Sequence, residues 1–136
     1  MTTLIDTNVL LDLATDDPVW ASWSLSKLDG ASLSGPIVIN PIIYAELAAR
    51  YPDTQTLDEF VVRLGADVED IPKAGLFLAG KAFQLYRQRG GTKTGVLADF
   101  LIGGHAAVSG LSLLTRDRAR YASYFPTVKL IAPDQG

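Results

Sequence analysis

The chain has 136 residues, of which 48% are hydrophobic and 20% charged, and a net charge of −3; this composition fits one compact domain and excludes an intrinsically disordered protein. It has no cysteine and a single histidine, His105, which excludes disulfides, thiolate metal sites and multi-histidine zinc sites. A bound metal would therefore need oxygen ligands, which favours Mg²⁺ or Mn²⁺.

The predicted elements of the first half alternate between short apolar strands and helices. They are a strand at 2–5, a helix at 7–14, a second helical stretch carrying Trp20, Trp23, Leu25 and Leu28, a loop at 30–35, a strand at 37–39, a helix from Pro41 that includes Glu46, and a helix at 56–64. Asn40 suits the position before the Pro41 helix, where its side chain would accept a hydrogen bond from a free backbone N–H. The spacing of Thr56 and Glu59 fits a capping box.

The second half continues the alternation. Its predicted elements are a strand at 68–71, a helix from Pro72 to Arg87 with Leu76, Phe77, Phe83 and Tyr86 available for the core, a basic loop at 89–95, a helix at 97–109 stopped by Gly110, and strands at 111–114 and 128–131. Apolar strands separated by helices indicate a mostly parallel sheet with helices on both faces, a single three-layer α/β/α domain over residues 1–136. We expect neither a membrane span nor a signal peptide, and therefore a cytoplasmic protein.

Four acidic residues fall near one edge of this predicted sheet. Asp6 ends the first strand and Asp117 lies just past the strand at 111–114, while Glu46 and Asp99 belong to helices that begin at the same edge. Ligands of parallel sheets bind outside the carboxyl ends of the strands, so these four carboxylates are the candidate site. Each also has a structural interpretation, since Asp6 and Asp99 suit helix starts and Glu46 and Asp117 suit a solvated surface.

The sequence around these acids resembles the PIN-domain ribonucleases, and among them the VapC-type toxins of bacterial toxin–antitoxin pairs. The similar segments extend over almost the whole chain and are Leu-Ile-Asp-Thr-Asn-Val-Leu at 4–10, Tyr-Ala-Glu-Leu at 44–47, Leu-Ala-Asp-Phe-Leu-Ile at 97–102 and Leu-Leu-Thr-Arg-Asp at 113–117. Each segment alone is weakly specific, whereas their order and placement together are specific.

The resemblance implies a metal-dependent endoribonuclease in which Asp6, Glu46, Asp99 and Asp117 hold Mg²⁺ or Mn²⁺, with Asn8 and Thr115 supporting the site. It also implies an RNA substrate, homodimerisation and a cognate antitoxin that blocks the acidic pocket. Such a metal would activate water and neutralise charge on the phosphate. The sequence leaves open whether one or two ions bind.

Basic residues are concentrated in the last part of the chain. From Lys81 onward there are eight Lys and Arg against three acidic residues, a local charge of +5, whereas the remainder carries −8. Such a concentration can form a phosphate-binding face or only a solvated surface. The candidates for binding RNA phosphates are Arg87, Arg89, Lys93 and Arg116.

Three further residues have structural and functional interpretations. His105, among small residues on its helix, suits a structural or interface role better than catalysis. Trp20 and Trp23 lie three positions apart, which is compatible with core packing or with an aromatic patch for a second copy or an antitoxin helix.

Two other functions compete with the nuclease. A haloacid-dehalogenase-like phosphatase also places a nucleophilic Asp after its first strand, but it usually has a second Asp where this chain has Asn8. A non-catalytic PIN-like module would bind RNA or a protein without cleaving it. Clustered carboxylates argue against that module, because their mutual repulsion is costly unless a cation binds.

Overall fold

A computed structural model gives the structure of the protein and describes residues 1–134, which form five strands and seven helices. In chain order they are β1 (Thr3–Ile5), α1 (Thr7–Ala14), α2 (Ala21–Ser34), β2 (Ile37–Ile39), α3 (Pro41–Ala48), α4 (Thr54–Leu64), β3 (Ala66–Val68), α5 (Lys73–Gln88), α6 (Val96–Ser109), β4 (Ser112–Leu114), α7 (Arg118–Tyr124) and β5 (Leu130–Ile131). The predicted single domain at 1–136 includes Gln135 and Gly136, which lie outside the described residues.

The strands form one all-parallel sheet in the order β3-β2-β1-β4-β5. The chain moves from β1 outward to β3 and then returns past β1 to β4. Since such crossovers are right-handed, helices α1 to α4 cover one face and α5 to α7 the other. The predicted three-layer α/β fold is therefore confirmed. The reversal of direction lies between β1 and β4, which is the place where open parallel sheets form a ligand crevice.

The strands are apolar because both of their faces are covered. Leu4, Ile5, Ile39, Leu113 and Leu114 are completely buried between the helical layers. This continuous burial explains why the strands read as unbroken apolar runs rather than as an alternating pattern. The sheet is therefore fixed by the core, and its carboxyl edge offers a rigid support for polar side chains.

Several helix boundaries follow from capping residues that the sequence identifies. Asn40 caps α3 by accepting a hydrogen bond from the backbone N–H of Ile43 at 3.0 Å, as predicted. Gly110 ends α6 in the left-handed conformation with φ of 63°, where glycine is favoured. The capping box at Thr56 was wrong, because α4 begins at Thr54 and Asp53 is its cap, accepting from the backbone N–H of Thr56.

Other predicted elements differ from the structure. The predicted loop at 30–35 is wrong, because α2 continues to Ser34 and buries Ala31. The third strand lies at Ala66–Val68 rather than at 68–71, since these residues pair with β2. The sequence did not predict α7.

The close contact of α5 and α6 explains an error in the predicted core. A Cβ atom on Gly104 would lie 2.5 Å from the carbonyl oxygen of Gly75, so the two backbones approach closely where both residues are glycine. This contact sets the rotation of α5, and Leu76 and Phe77 face solvent with 45% and 68% of their surfaces exposed. Their predicted place in the core was wrong, whereas Phe83 and Tyr86 do pack against it.

Among residues 1–134, no helix is both long and apolar enough to cross a membrane.

Candidate active site

Asp6 is held rigidly at the junction of β1 and α1. It is 4% exposed, and its backbone N–H continues the pairing with β4 by donating to the carbonyl of Leu114 at 2.9 Å. Its Oδ1 accepts from the backbone N–H of Thr7 at 2.8 Å, so the residue also caps α1. The capping interpretation and the site interpretation are therefore compatible, because the other carboxylate oxygen, Oδ2, stays available for further contacts.

Three side chains donate hydrogen bonds to Asp6 Oδ2. They are the hydroxyls of Thr115 at 2.7 Å and Tyr121 at 3.1 Å, and the amide of Asn8 at 3.3 Å. Together these four residues form what we call the Asp6 cluster. Asn8 and Thr115, the two residues expected to support the site, thus both contact Asp6. Asn8 also accepts a hydrogen bond from the backbone N–H of Arg116 through its Oδ1 at 3.2 Å, which ties the end of β4 to the first turn of α1.

Asp99 and Asp117 lie beside the Asp6 cluster and share a cation. The guanidinium of Arg120 pairs with Asp99 Oδ2, and its Nη1 lies 3.7 Å from Asp117 Oδ2. Asp117 also caps α7, since its Oδ1 accepts from the backbone N–H of Arg120 at 3.4 Å. The side chains of Asp99 and Asp117 are 27% and 38% exposed, so both are accessible from solvent.

Glu46 lies on α3 and is connected to the cluster through one hydroxyl. The hydroxyl of Thr7 donates to Glu46 Oε1 at 2.6 Å, while the backbone N–H of the same threonine donates to Asp6. Glu46 itself is exposed. Tyr121 donates to Asp6, the adjacent Arg120 pairs with Asp99 and Asp117, and Thr7 links Glu46 to Asp6, so contacts made by α1 and α7 connect the four acids.

Burial is the main influence on the titration of the buried groups in the site. Burial raises the pKa of Asp6 from 3.8 to about 6, with a further rise from the charge of Asp99 that the hydrogen bond from Thr115 opposes. Burial also raises the pKa of Asp99, and Arg120 acts against this rise. The pKa of Tyr121 lies well above its ordinary value of 10, first because of burial and then because of Asp6, so its hydroxyl stays a donor.

This donor set fits a hard divalent cation in its chemistry. Its charged ligands would be carboxylate oxygens, as Mg²⁺ and Mn²⁺ prefer, and a divalent ion would favour the ionised form of Asp6, which burial and then the charge of Asp99 disfavour. Arg120 already occupies the place of a cation between two of the aspartates. Within residues 1–134, however, no three acidic or histidine side chains lie close enough together to form a ready-made metal site.

The four candidate RNA-binding residues differ in their surroundings. Arg87 and Arg89 are exposed, and their guanidinium groups lie over the rings of Phe83 and Tyr124 at 5.2 and 5.5 Å. Lys93 is exposed in the loop before α6, and its backbone N–H donates to the hydroxyl of Tyr86.

Arg116 makes its contacts within the protein. Its Nε lies 3.0 Å from Oδ2 of the buried Asp12, without hydrogen-bond geometry, and its guanidinium lies 4.9 Å from the ring of Trp20. Trp20 stands just before α2 and meets Trp23 edge to face at 5.7 Å, with both rings partly buried. The two tryptophans therefore belong to the packing around Arg116.

A second polar cluster lies at the same edge of the sheet. His105 is fully buried; its Nδ1 lies 3.1 Å from the amide of Asn40, which follows β2, and its Nε2 lies 3.2 Å from Glu69, which follows β3. We call these three residues the His105 cluster. The contacts agree with a structural role for His105, since both ring nitrogens have partners.

Sequence reasoning missed three residues of the site: Thr7, Arg120 and Tyr121. Arg120 and Tyr121 follow Asp117 by three and four positions, a spacing that returns to the same side of a helix. That spacing was a usable signal, but it depends on recognising α7. Thr7 gave a weaker signal, because its position after Asp6 only became informative once Glu46 was found beside it.

The chain is similar to solved structures across nearly its full length. VapBC2 from Rickettsia felis, bound to a DNA fragment of its promoter, matches with a TM-score of 0.73 and 18% identity, covering 97% of this chain and 98% of that one. VapBC-1 from nontypeable Haemophilus influenzae gives 0.69 and 18%, covering 97% and 98%. A toxin–antitoxin complex from Klebsiella pneumoniae gives 0.60 and 20%, covering 95% of each chain.

Sequence comparison provides the family. No curated protein matches the chain significantly. A model of the PIN domain, in contrast, matches residues 3–124, which include all four candidate acids and the whole parallel sheet except its last strand. The chain therefore belongs to the PIN domain family.

Proposed function

We propose that this protein is a divalent-metal-dependent endoribonuclease that acts as the toxin of a toxin–antitoxin pair in the cytoplasm. The observation that carries the proposal is the set of aspartates at the reversal point of the sheet, where Tyr121 donates to Asp6 and the adjacent Arg120 pairs with Asp99 and Asp117. The PIN domain match supports nuclease chemistry, and the similarity to a toxin–antitoxin complex supports the biological role.

In this proposal the four acids Asp6, Glu46, Asp99 and Asp117 hold Mg²⁺ or Mn²⁺. When bound, the metal supplies an activated water and neutralises charge on the phosphodiester. The protein's own contribution is preorganisation. Thr115, Asn8 and Tyr121 fix the orientation of Asp6, and Thr7 couples Asp6 to Glu46, so these two carboxylates are already oriented before the substrate binds.

The position of Asn8 argues against the phosphatase alternative. A mechanism with an aspartyl-phosphate intermediate would use Asp6 as a nucleophile and a second acid two residues later. Here the amide of Asn8 donates to Asp6, and three further hydrogen bonds surround that carboxylate. Asn8 has no carboxyl group to act as the second acid of that mechanism, and its amide only holds Asp6 in place.

The nuclease is tested with purified protein freed of any partner and incubated with total bacterial RNA in Mg²⁺, Mn²⁺ or EDTA. We expect discrete cuts that require metal and that fall by at least about 100-fold in Asp6→Asn and Asp99→Asn. Asp29→Asn, which removes an exposed acid of α2, is the matched control, and circular dichroism checks folding. Equal cleavage in EDTA would contradict metal dependence. No cleavage and no metal binding would favour a non-catalytic RNA- or protein-binding module.

RNA binding is proposed to use Arg87, Arg89 and Lys93, with Arg116 as a further candidate. The first three are exposed, and Arg89 lies over Tyr124 at the end of α7, which supports contact with phosphates near the site. Replacing Arg89 by Gln should reduce the slope of log affinity against log salt by roughly 0.7 for a single-stranded RNA. Arg50→Gln is the control, since that exposed residue lies outside the basic segment. An unchanged slope would remove Arg89 from the interface.

The assembly is proposed to be a homodimer that also binds an antitoxin. Exposed apolar side chains on α5 and α6, namely Leu76, Phe77 and Val108, supply a surface for a second copy. The mass of the purified chain, measured by light scattering after size exclusion, tests the dimer. Phe77→Asp should convert it to the monomer, and a wild-type monomer at micromolar concentration would contradict the proposal.

A further inference from the structure

Arg120 lies where a metal ion would bind two of the candidate ligands. Its guanidinium pairs with Asp99 and lies 3.7 Å from Asp117 Oδ2, and its backbone N–H donates to Asp117 Oδ1. The side chain is 29% exposed, so it is only partly held by its surroundings. A divalent ion bound to these same Oδ2 atoms would lie close to the guanidinium, so the two positive charges would repel each other there.

The position of Arg120 is set by the local sequence rather than by chance contact of a long side chain. Asp117 caps α7, and the residue three positions later lies above the cap on the first turn of the helix. The next residue is Tyr121, whose hydroxyl donates to Asp6. The first turn of α7 therefore provides both the hydroxyl that donates to Asp6 and the guanidinium that pairs with Asp99 and Asp117.

Neighbouring arginines do not share this role. Arg118 donates to the carbonyl oxygens of Ala132 and Pro133, and Arg116 pairs with Asp12. Among residues 1–134, Arg120 is the basic residue that forms ion pairs with Asp99 and Asp117. The charges of Asp99 and Asp117 are thus compensated by the one partly exposed guanidinium of Arg120.

We propose that Arg120 is an internal competitor of the metal: it closes the site in the metal-free protein and must leave Asp99 and Asp117 before a divalent ion binds. This inference rests on the proposed function, because it takes these aspartates as metal ligands. By mass action, the stability of the Arg120 pairs lowers the apparent affinity for metal. The metal-free protein gains stability in exchange, since its carboxylates are not left without a counter-charge.

The first test is calorimetric titration of Mn²⁺ into the metal-free full chain, without RNA. Arg120→Gln should bind Mn²⁺ about fivefold more tightly than wild type, the change expected from loss of a partly exposed ion pair. In EDTA its thermal midpoint should be lower, and saturating Mn²⁺ should raise it by more than it raises that of wild type. Arg50→Gln, which removes a distant exposed charge, should match wild type in both measurements. Equal or weaker binding by folded Arg120→Gln would overturn the proposal.

A second measurement uses the wild-type protein, so it holds even if the variant folds poorly. The Nε–H resonance of Arg120 in a ¹⁵N spectrum should move toward the position of solvated arginines on saturation with Mg²⁺. A resonance that stays in place at saturation would overturn the proposal. If either measurement contradicts competition by Arg120 while metal-dependent RNA cleavage is observed, the nuclease proposal is unaffected. If Arg120 competes with the metal but no RNA is cleaved, only the nuclease proposal is contradicted. Absence of metal binding in both proteins would overturn both.

Discussion

The Asp6 cluster and the His105 cluster occupy the same edge of the sheet but differ in how their charge is compensated. Asp6 and His105 are both almost completely buried. The His105 cluster contains one acid, Glu69, whose side chain is 43% exposed, and the histidine has a partner at each ring nitrogen. Beside the Asp6 cluster Arg120 pairs with Asp99 and Asp117, whereas Asp6 itself has hydrogen-bond donors but no ion-pair partner. Burial alone therefore does not distinguish a structural polar cluster from a candidate site, whereas uncompensated charge does.

The largest expected effect is the difference between substitutions of Glu46 and Glu69, the two glutamates near this edge of the sheet. Glu46 is joined to Asp6 through Thr7, and Glu69 contacts His105. Glu46→Gln should lower metal-dependent RNA cleavage by roughly 100-fold or more, because a proposed ligand loses its charge. Glu69→Gln, the matched control, should change the rate by less than about threefold. Equal losses of cleavage rate in the two variants would contradict the distinction between the Asp6 cluster and the His105 cluster.

The next largest effect is a pH dependence of the unfolding free energy, caused by titration of the Asp6 carboxyl group. Its pKa of about 6 in the folded protein exceeds the ordinary 3.8, so the folded state binds the proton more tightly than the unfolded state. The contribution of Asp6 to stability is thus fully present below about pH 4 and is lost as pH rises through about 6. The rise from 3.8 corresponds to about 3 kcal/mol.

Urea unfolding in EDTA between pH 4.5 and 7.5 measures this effect. As pH rises across that range, the unfolding free energy of wild type should fall relative to that of Asp6→Asn. The other carboxylates titrate in both proteins, so the difference isolates Asp6. A difference independent of pH would mean that the carboxylate is better solvated than its burial indicates.

A smaller effect is expected from the His105 cluster, and on stability rather than on cleavage. His105→Gln should lower the unfolding free energy by about 1–3 kcal/mol, because a fully buried ring loses contacts and the Asn40 amide loses its partner. Cleavage per folded molecule should stay within about threefold of wild type. Unfolding curves and rates corrected for the folded fraction provide the check, and a selective loss of cleavage would place His105 in the site.

The smallest effect concerns the hydroxyl of Tyr121. Tyr121→Phe removes one of the three side-chain donors to Asp6 Oδ2 and leaves the ring in the core. We expect metal affinity to fall by about tenfold, as for the loss of a group that orients a ligand. Calorimetric titration with Mn²⁺ measures the affinity. An unchanged affinity would show that Thr115 and Asn8 suffice to hold Asp6.

The sequence identified the parts of the site that depend on strand ends. Asp6 and Thr115 directly follow β1 and β4, and parallel strands bring their carboxyl ends together, so their contact was predictable. Arg120 and Tyr121 were not, because α7 has only seven residues and its small and charged residues give no clear apolar face. Its start is fixed by Asp117, which sequence reasoning had assigned to the metal site rather than to a cap.

The errors in the fold have a related cause, since local composition and tertiary packing disagree there. Glycine and serine at 30–35 favour a loop, yet burial of Ala31 extends α2 through them. Periodicity places Leu76 and Phe77 on α5 without fixing its rotation, which depends on the contact between Gly75 and Gly104. Contacts between distant segments decided these positions, and a single sequence does not display them.

The hydrogen bond from Thr115 to Asp6 joins residues 109 positions apart, and this separation has a consequence during translation. A nascent chain presents β1 to the ribosome exit before β4 and α7, which complete the carboxylate site. At elongation rates of roughly 5–20 residues per second, this interval lasts on the order of 5–20 s. Until β4 and α7 have been made, Asp6 has none of its partners from them, so β1 and α1 leave the ribosome before the carboxylate site is complete.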